Sequence, residues 1–151
     1  SGGDYRFSSI DLSGNRTVTL RDGVRLYVNG PIDIGGTSRI VVEGNVEVWV
    51  DGDCDVRGNG ILNKTQLPEN LRIFGVGGSS QRIDMVGTSD LHAVVYAPQA
   101  SFSNTGTADL FGAVVAGDVH LGGTADIHYD EALRDLILGE DGYRQISWNE
   151  M

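Results

Sequence analysis

Apolar and polar residues alternate in short runs through the first third of the chain. Residues 24–34 contain a strand pattern, a turn at Gly30 and a second short strand pattern, and residues 46–56 repeat this order around Gly52. A period of two places the apolar side chains on one face of a strand. The repetition predicts stacked coils with these inward pairs: Val24 over Val46, Leu26 over Val48, Val28 over Val50, Ile32 over Cys54 and Ile34 over Val56.

The middle of the chain carries the same pattern more weakly. Alternating apolar residues return at Leu71 and Ile73, and again at Ile83 and Met85. They follow a polar stretch at 63–70 that contains a proline. Insertions in solenoids lie at the corners between strands, so we expect this stretch to be a loop projecting from one coil.

One phrase occurs three times in the last half of the chain. It reads Gly87-Thr-Ser-Asp-Leu91, Gly106-Thr-Ala-Asp-Leu110 and Gly123-Thr-Ala-Asp-Ile127, and the two intervals between the copies are nearly equal. A near-constant interval of this size is typical of stacked coils. With Gly112 as a one-residue insertion, the expected inward pairs are Leu91 over Leu110, Ala93 over Ala113, Val95 over Val115, Ala100 over Val119 and Phe102 over Leu121.

These patterns predict one all-β domain over residues 1–151, a right-handed parallel β-helix with its coils in residues 14–128. A short capping helix is expected within 129–139, because Asp130 is a good N-cap and Gly139 a good terminator for a helix from Glu131 to Leu138. Residues 140–151 are expected to be a tail. A capped end cannot add another rung, so the helix would oppose end-to-end growth.

Composition narrows the classes of partner. The 151 residues carry a formal charge of −10, with 11 basic and 21 acidic residues. Nucleic acids and anionic membranes are bound through clustered Lys and Arg, so neither is an expected partner. A single cysteine, Cys54, excludes an intrachain disulfide and is predicted to fill the core. The first residues do not resemble a signal peptide, and we expect the natural protein to extend beyond them.

The repeated phrase stacks three carboxylates, Asp90, Asp109 and Asp126. Such a column could bind Ca²⁺ through oxygen ligands. Asp side chains at turns also accept hydrogen bonds from nearby backbone N–H groups, which explains every copy of the phrase without a metal. We therefore favour corner closure, and expect no metal and no cofactor.

A second acidic pair is the strongest indication of catalysis in the sequence. Asp33 and Asp55 are predicted to stack on the outer surface, with Arg57 two residues further along. One rung is close to the separation of about 5–5.5 Å between the carboxyl groups of retaining glycosidases. Outward acids on an acidic protein are usually only solvated, so no catalytic residue is assigned.

Three aromatic residues form the predicted interaction surface. Tyr27 is expected to stack on Trp49, and Tyr96 lies with Val94 and Val114 on a later outward surface. Exposed aromatic rings can anchor protein or sugar partners, or can be covered by other parts of the same chain.

The three histidines lack a tight ligand spacing. His92 and His128 are expected in one column on either side of Phe111, and His120 opposite Ser101. We expect no transition-metal site.

The amino-acid sequence of the last part of the chain resembles that of the C-terminal domain of PilX-like type IV pilus assembly proteins. The segments that carry the resemblance are Asn70-Leu-Arg-Ile-Phe74, Tyr96-Ala-Pro-Gln-Ala100, Gly112-Ala-Val-Val115, Ile127-His-Tyr-Asp-Glu-Ala-Leu133 and Ile146-Ser-Trp-Asn-Glu150. The resemblance implies an extracellular or periplasmic β-helical domain, tethered through an apolar N-terminal helix that is missing from this sequence. It implies protein partners in a pilus or surface assembly and supplies no catalytic residues.

The sequence thus favours a non-enzymatic structural or interaction module of a pilus- or secretion-related cell-surface assembly. Polysaccharide is a further possible ligand. Two alternatives remain open: a carbohydrate-active β-helix, either a polysaccharide lyase or a hydrolase, and a bactofilin-like cytoskeletal polymer.

Overall fold

The computed structural model describes residues 2–135, which form an all-β chain with almost no helix. Every pair of neighbouring strands in the described residues runs parallel. Two short 3-10 turns lie at Pro68–Asn70 and Glu131–Asp135. The strands are β1 (Gly3–Phe7), β2 (Ile10–Leu12), β3 (Thr17–Arg21), β4 (Val24–Val28), β5 (Ile32–Ile34), β6 (Arg39–Glu43), β7 (Val46–Val50), β8 (Cys54–Gly58), β9 (Ile61–Asn63), β10 (Leu71–Gly75), β11 (Arg82–Gly87), β12 (Leu91–Gly106), β13 (Leu110–Gly123) and β14 (Ile127–Tyr129).

The strands form a parallel β-solenoid of about five turns with up to three walls. Wall 1 contains β1, β4, β7, β10, the first halves of β12 and β13, and β14. Wall 2 contains β2, β5, β8, β11 and the second halves of β12 and β13. Wall 3 contains β3, β6 and β9. Alternate side chains of each wall point into one shared core.

The five inward pairs predicted for the early coils are confirmed by the strand register. Cys54 is buried in the core, as are the four apolar residues predicted for the middle coil. The coils begin earlier than position 14, because β1 at Gly3–Phe7 already pairs with β4. A loop does connect β9 to β10, although Asn63 still belongs to β9. This loop does not project as predicted, because the turn at Pro68–Asn70 contains a buried proline and lies against β12 and β13.

Coil length falls along the solenoid because wall 3 ends at β9. In the early coils Val24 pairs with Val46, whereas in the last coils Leu110 pairs with Ile127, which is a clearly shorter interval along the chain. In β12 and β13 one long strand supplies wall 1, turns a corner and supplies wall 2. The early coils therefore enclose a three-sided core, and the late coils have two walls.

The predicted register of the two last long strands is wrong beyond its first pair. Leu91 does face Leu110, but Ala93 faces Gly112 and Val95 faces Val114, so Gly112 is not an insertion. The coil shortens at the corner instead, between Ala97 and Ser101, so that Phe102 faces Val119. Because the interval changes there by an even number of positions, Val119 and Leu121 keep the inward orientation predicted for them.

A column of glycines turns the corner at the end of wall 2 in every coil. Its members are Gly14, Gly36, Gly58, Gly87, Gly106 and Gly123. At Gly58 the backbone is left-handed, with φ of +64°, and an added Cβ would overlap the carbonyl oxygen of Gly36. The three-copy phrase is thus the later half of a corner motif that serves the whole solenoid.

The predicted capping helix is not shown in the described residues. β14 occupies its first position, and Glu131–Asp135 form a 3-10 turn. Asp130 does act as a cap, because its Oδ1 accepts the N–H of Ala132 at 2.9 Å. A helix of eight residues is marginal in water, and short turns readily tighten to 3-10 geometry. Residues 136–139 and the predicted tail at 140–151 lie outside the described residues.

Candidate functional site

Four aromatic side chains form a ladder on the outer face of wall 1. Tyr27, Trp49, Phe74 and Tyr96 occupy the same outward position on β4, β7, β10 and β12. The ring centroids of Tyr27 and Trp49 are 6.1 Å apart, and those of Trp49 and Phe74 only 4.2 Å apart, both pairs stacked. Phe74 meets Tyr96 edge-on at 6.5 Å. The Arg6 guanidinium lies 5.6 Å from the Tyr27 centroid. We call these four aromatic residues the aromatic ladder.

The sequence singled out three of the four rings, Tyr27 and Trp49 as a stacked pair and Tyr96 on a separate later surface, and the structure joins them into one column through Phe74. Phe74 was missed because the loop before β10 lengthens the interval between Trp49 and the rung that follows it. The expected outward position of Val114 is wrong, because Val114 pairs with the buried Val95 and packs against the core. Val115 pairs with Tyr96 instead and continues the ladder column with an exposed side chain. The prediction failed at Val114 for the same reason as the register, namely the supposed insertion at Gly112.

A polar column runs beside the aromatic ladder. Arg25 bonds Asp4 at 2.8 Å, and Arg72 contacts Glu47 at 3.1 Å and the side-chain oxygen of Asn45 at 2.7 Å. Alternating charges on successive rungs hold these long side chains upright against the wall. Among the described residues, the Trp49 Nε1 and Arg72 Nε atoms are buried without a hydrogen-bond acceptor.

The predicted acidic pair is part of a longer column on wall 2. Asp33 and Asp55 are paired neighbours, as predicted, and Asp11 and Asp84 extend the column on either side. The repeated Ile-Asp-Leu and Ile-Asp-Met alternation in β2 and β11 was the available signal for these two. The backbones of successive residues in this column are separated by one strand spacing, about 4.8 Å.

Arg57 engages Asp55 through two hydrogen bonds, from Nε at 2.8 Å and from one terminal nitrogen. These bonds, with the charge of Asp55, raise the pKa of Arg57 above its usual value. Both carboxylate oxygens of Asp55 are therefore bound by one guanidinium, a geometry that neutralises the acid. A nucleophilic carboxylate needs a free oxygen, so this contact weakens the case for Asp55 in glycoside chemistry.

The carboxylates of the repeated phrase close the corners between wall 2 and wall 1. Asp90 Oδ1 accepts the backbone N–H of Asp109 at 3.1 Å, and Asp109 Oδ1 accepts that of Asp126 at 3.0 Å. The second oxygen of Asp109 lies 3.1 Å from His128 Nε2. The Asp126 backbone bond first, and then His128, lower the pKa of Asp109. Asp90 and Asp109 thus bond backbone N–H groups at the corners, as expected, but those of the next coil rather than those of their own turn.

The same corner contains a candidate metal-ligand cluster. Within residues 2–135, ligand atoms of Asp109, Asp126 and His128 all lie within 4.8 Å of one another. Their oxygen and imidazole donors are chemically able to hold a divalent cation. Asp109, however, already uses both carboxylate oxygens in hydrogen bonds, so the structural role accounts for its position.

The predicted histidine column is present. His92, Phe111 and His128 stack with centroid separations of 4.8 and 4.7 Å. His120 faces Ser103 rather than Ser101, because of the shortened corner. Burial of Cys54 raises the pKa of its thiol to about 12, which keeps it protonated and unreactive.

A family model described as a domain of unknown function, DUF7305, matches residues 1–136. The chain belongs to this family. No curated protein and no solved structure matches it. The family match spans the solenoid from its first strand to the last described turn, and its description assigns no activity. Among the described residues there is also no helix that is long and apolar enough to span a membrane.

Proposed function

We propose that this domain is a non-enzymatic interaction module of a pilus- or secretion-related cell-surface assembly. The observation that carries the proposal is the aromatic ladder. The four rings form one apolar strip across consecutive coils, in which Tyr27, Trp49 and Tyr96 are partly exposed and Phe74 is buried. Ordered charges flank this strip. Aromatic and arginine side chains supply most of the binding energy at protein interfaces, so this strip has the composition of a docking surface.

Rigidity is the second support for a structural role. Each coil bonds to its neighbours through parallel ladders, and the early coils are filled by β-branched side chains. A partner that binds the ladder therefore meets a preformed surface and causes little ordering of the domain. We assign protein as the main partner class, with polysaccharide as a further ligand because sugar rings stack on aromatic faces.

The location and handedness belong to the proposal as well. The resemblance to PilX-like proteins supports an extracellular or periplasmic site, with the domain tethered through an apolar helix at its N-terminal side. The coil is proposed to be right-handed, since crossovers between parallel strands are right-handed in about 98% of cases.

The proposal is tested in the source cells with a tagged chain in its natural gene context. We expect external protease to cut the tag on intact cells, and sheared surface fibres to retain the protein. Trp49→Ala, which removes the central ring, should weaken retention at least about tenfold if the ladder carries a binding hot spot. Leu67→Ala is the matched control, because it removes an exposed apolar side chain from the loop rather than from wall 1.

Circular dichroism establishes that Trp49→Ala keeps its β content before binding is compared. A protein that stays in the cytoplasmic fraction would overturn the proposal and favour the bactofilin-like polymer. The sequence-based objection to that alternative relied on a capping helix, and Glu131–Asp135 form only a 3-10 turn. Retention unaffected by Trp49→Ala would remove the ladder from the interface.

The carbohydrate-active alternative has one favourable observation, the column of four carboxylates on wall 2. It is tested by incubating the chain with acidic polysaccharides and following reducing sugar and unsaturated product. We expect no release. Release that disappears in Asp33→Asn would establish the enzyme, whereas release unaffected by Asp33→Asn would indicate a contaminating activity.

A further inference from the structure

Among residues 2–135, core side chains at the N-terminal end of the solenoid are left exposed. Tyr5 and Phe7 occupy the inward positions of β1, opposite Leu26 and Val28, yet they are 48% and 47% exposed. Val18, inward on β3, is 37% exposed. Together with Ile10, Leu12 and Leu20, they line an apolar depression of about 700 Å³.

The first coil also presents a free strand edge. Gly3 and Phe7 direct their backbone groups toward the next coil. The N–H of Gly3 donates to the carbonyl oxygen of Gly23, and the carbonyl oxygen of Phe7 accepts the N–H of Asn29. Asp4 and Arg6 alternate with them, so their N–H and C=O groups point to the opposite edge of β1. Within residues 2–135, no strand pairs with that edge. Open edges of this kind are templates for pairing with another chain.

The sequence of β1 is self-complementary when two copies run antiparallel about Tyr5. Asp4 of one copy then faces Arg6 of the other, and each pair can exchange two backbone hydrogen bonds. Phe7 faces Gly3, where no side chain competes for space. Opposite charges fall on the outer face and aromatic rings on the inner face, which is the arrangement that stabilises cross-strand pairs.

The charge distribution favours association of two copies through the first coil rather than through the last described coil. The first coil is neutral, although the whole chain carries −10. Its charged residues within positions 1–22 are Asp4, Asp11 and Asp22 with Arg6, Arg16 and Arg21. The last described coil instead carries Asp118, Asp126 and Asp130. Two acidic molecules can therefore approach through their first coils without the repulsion that opposes contact elsewhere.

We propose that a second copy of this chain occupies the open end, giving a closed two-fold dimer in which the two β1 strands pair antiparallel about Tyr5. The two depressions then merge into one core that is continuous across the dimer. Each surface patch meets its own copy, so the contact closes and does not propagate into a filament. This inference concerns assembly and does not depend on the function proposed for the aromatic ladder.

The first experiment measures mass and proximity. Analytical ultracentrifugation at about 100 µM should give twice the 16.1 kDa chain mass, since a micromolar Kd would make the dimer dominant. Tyr5→Cys places two thiols at directly opposed positions, with Cβ atoms about 4.5–5.5 Å apart, and should form an intermolecular disulfide under mild oxidation. Val119→Cys, at the opposite end and 49% exposed, is the matched control and should stay monomeric on a non-reducing gel.

The second experiment tests the strand register by charge exchange. Asp4→Arg alone and Arg6→Asp alone each place like charges opposite at two symmetric positions, and each should raise the dimer Kd about tenfold. The double variant exchanges the charges and should return the Kd to within about threefold of the original. Thermal unfolding of each variant shows whether the loss of the Asp4–Arg25 contact disturbs the fold itself.

A monomer at about 100 µM would overturn the proposal. A disulfide that forms only between Tyr5→Cys and Val119→Cys chains would replace it with head-to-tail stacking. A dimer whose Kd is not restored in the double variant would refute the antiparallel register. Loss of the dimer in a longer natural chain would overturn the proposal as well, because an upstream segment rather than a second copy would then cover this end.

Discussion

The early and late coils solve the same packing problem with different cross-sections. The early coils have three walls, and their inward side chains are mainly Val, Ile and Leu. The late coils lack wall 3, and in them Ala93, Ala97 and Ala100 point inward beside the large ring of Phe102. A two-walled coil brings the sheets closer, so small side chains replace branched ones and one aromatic ring fills the remaining space.

Buried side-chain amides replace the hydrogen bonds of the missing wall. Asn63 lies at the end of the last wall 3 strand and donates to the carbonyl oxygens of Leu67 and His92, both at 2.9 Å. Asn104 donates to Ala108 at 3.2 Å at a later corner. Regular strands satisfy their own backbone groups, whereas the irregular late corners need side chains for this.

The largest effect on stability is expected at Phe102, which is fully buried between Ile83 and Val119. Its substitution tests whether the stability of the late coils depends on this ring. Phe102→Ala should lower the free energy of unfolding by about 3–5 kcal/mol. Coils of a solenoid contact only their neighbours, so hydrogen exchange should accelerate most in β12 and β13. Equal acceleration in β4 and β7 would show that early and late coils unfold as one unit.

The second prediction concerns the glycine column shared by both regions. Gly14 and Gly58 are both left-handed, but a Cβ at Gly14 meets nothing within 4 Å, whereas one at Gly58 would overlap Gly36. Gly14→Ala should cost about 1–2 kcal/mol from backbone conformation alone. Gly58→Ala should cost about 1–3 kcal/mol more, through the forced shift of adjacent coils. Equal urea midpoints for the two variants would contradict the close stacking.

The third prediction tests the amide that ends wall 3. Asn63→Ala leaves the oxygens of Leu67 and His92 without their donor, and should cost about 1–3 kcal/mol in urea denaturation. Asn29→Ala is the control at an exposed position, where a change within about 0.5 kcal/mol is expected. A small effect at Asn63 would mean that water replaces the amide and that the late coils close without it.

The smallest expected effect is a pH dependence of the folding stability, which arises from Asp109 at a corner of the late coils. The folded pKa of Asp109 is lowered, so its contribution to stability is present above the ordinary Asp value of about 3.9 and is lost as the pH falls through the folded value. Asp109→Asn should flatten the decline in stability below about pH 4. His128→Gln should keep most of that decline, because the Asp126 backbone bond is the larger cause. Identical thermal-melting profiles for all three proteins would exclude this role.

The prediction of the candidate site succeeded where the interval between coils was regular. Tyr27 over Trp49 and Asp33 over Asp55 both followed from the constant interval between the first coils. Phe74 and the exchange of Val114 for Val115 were missed where the interval first lengthens at the loop and then shortens in the late coils. Each change in interval has to be placed at a particular corner, and several corners fit the same alternation of apolar residues.

The sequence by itself determined the parallel solenoid, because alternation and recurring glycine corners specify strands and their repeat without reference to the rest of the molecule. It also placed Cys54 in the core and the Asp residues at the corners. Only the tertiary structure decided where wall 3 ends, where the late coil shortens and that four aromatic rings share one column. These features depend on which backbone lies against which, and such pairing is set by packing between coils rather than by the local pattern within one coil.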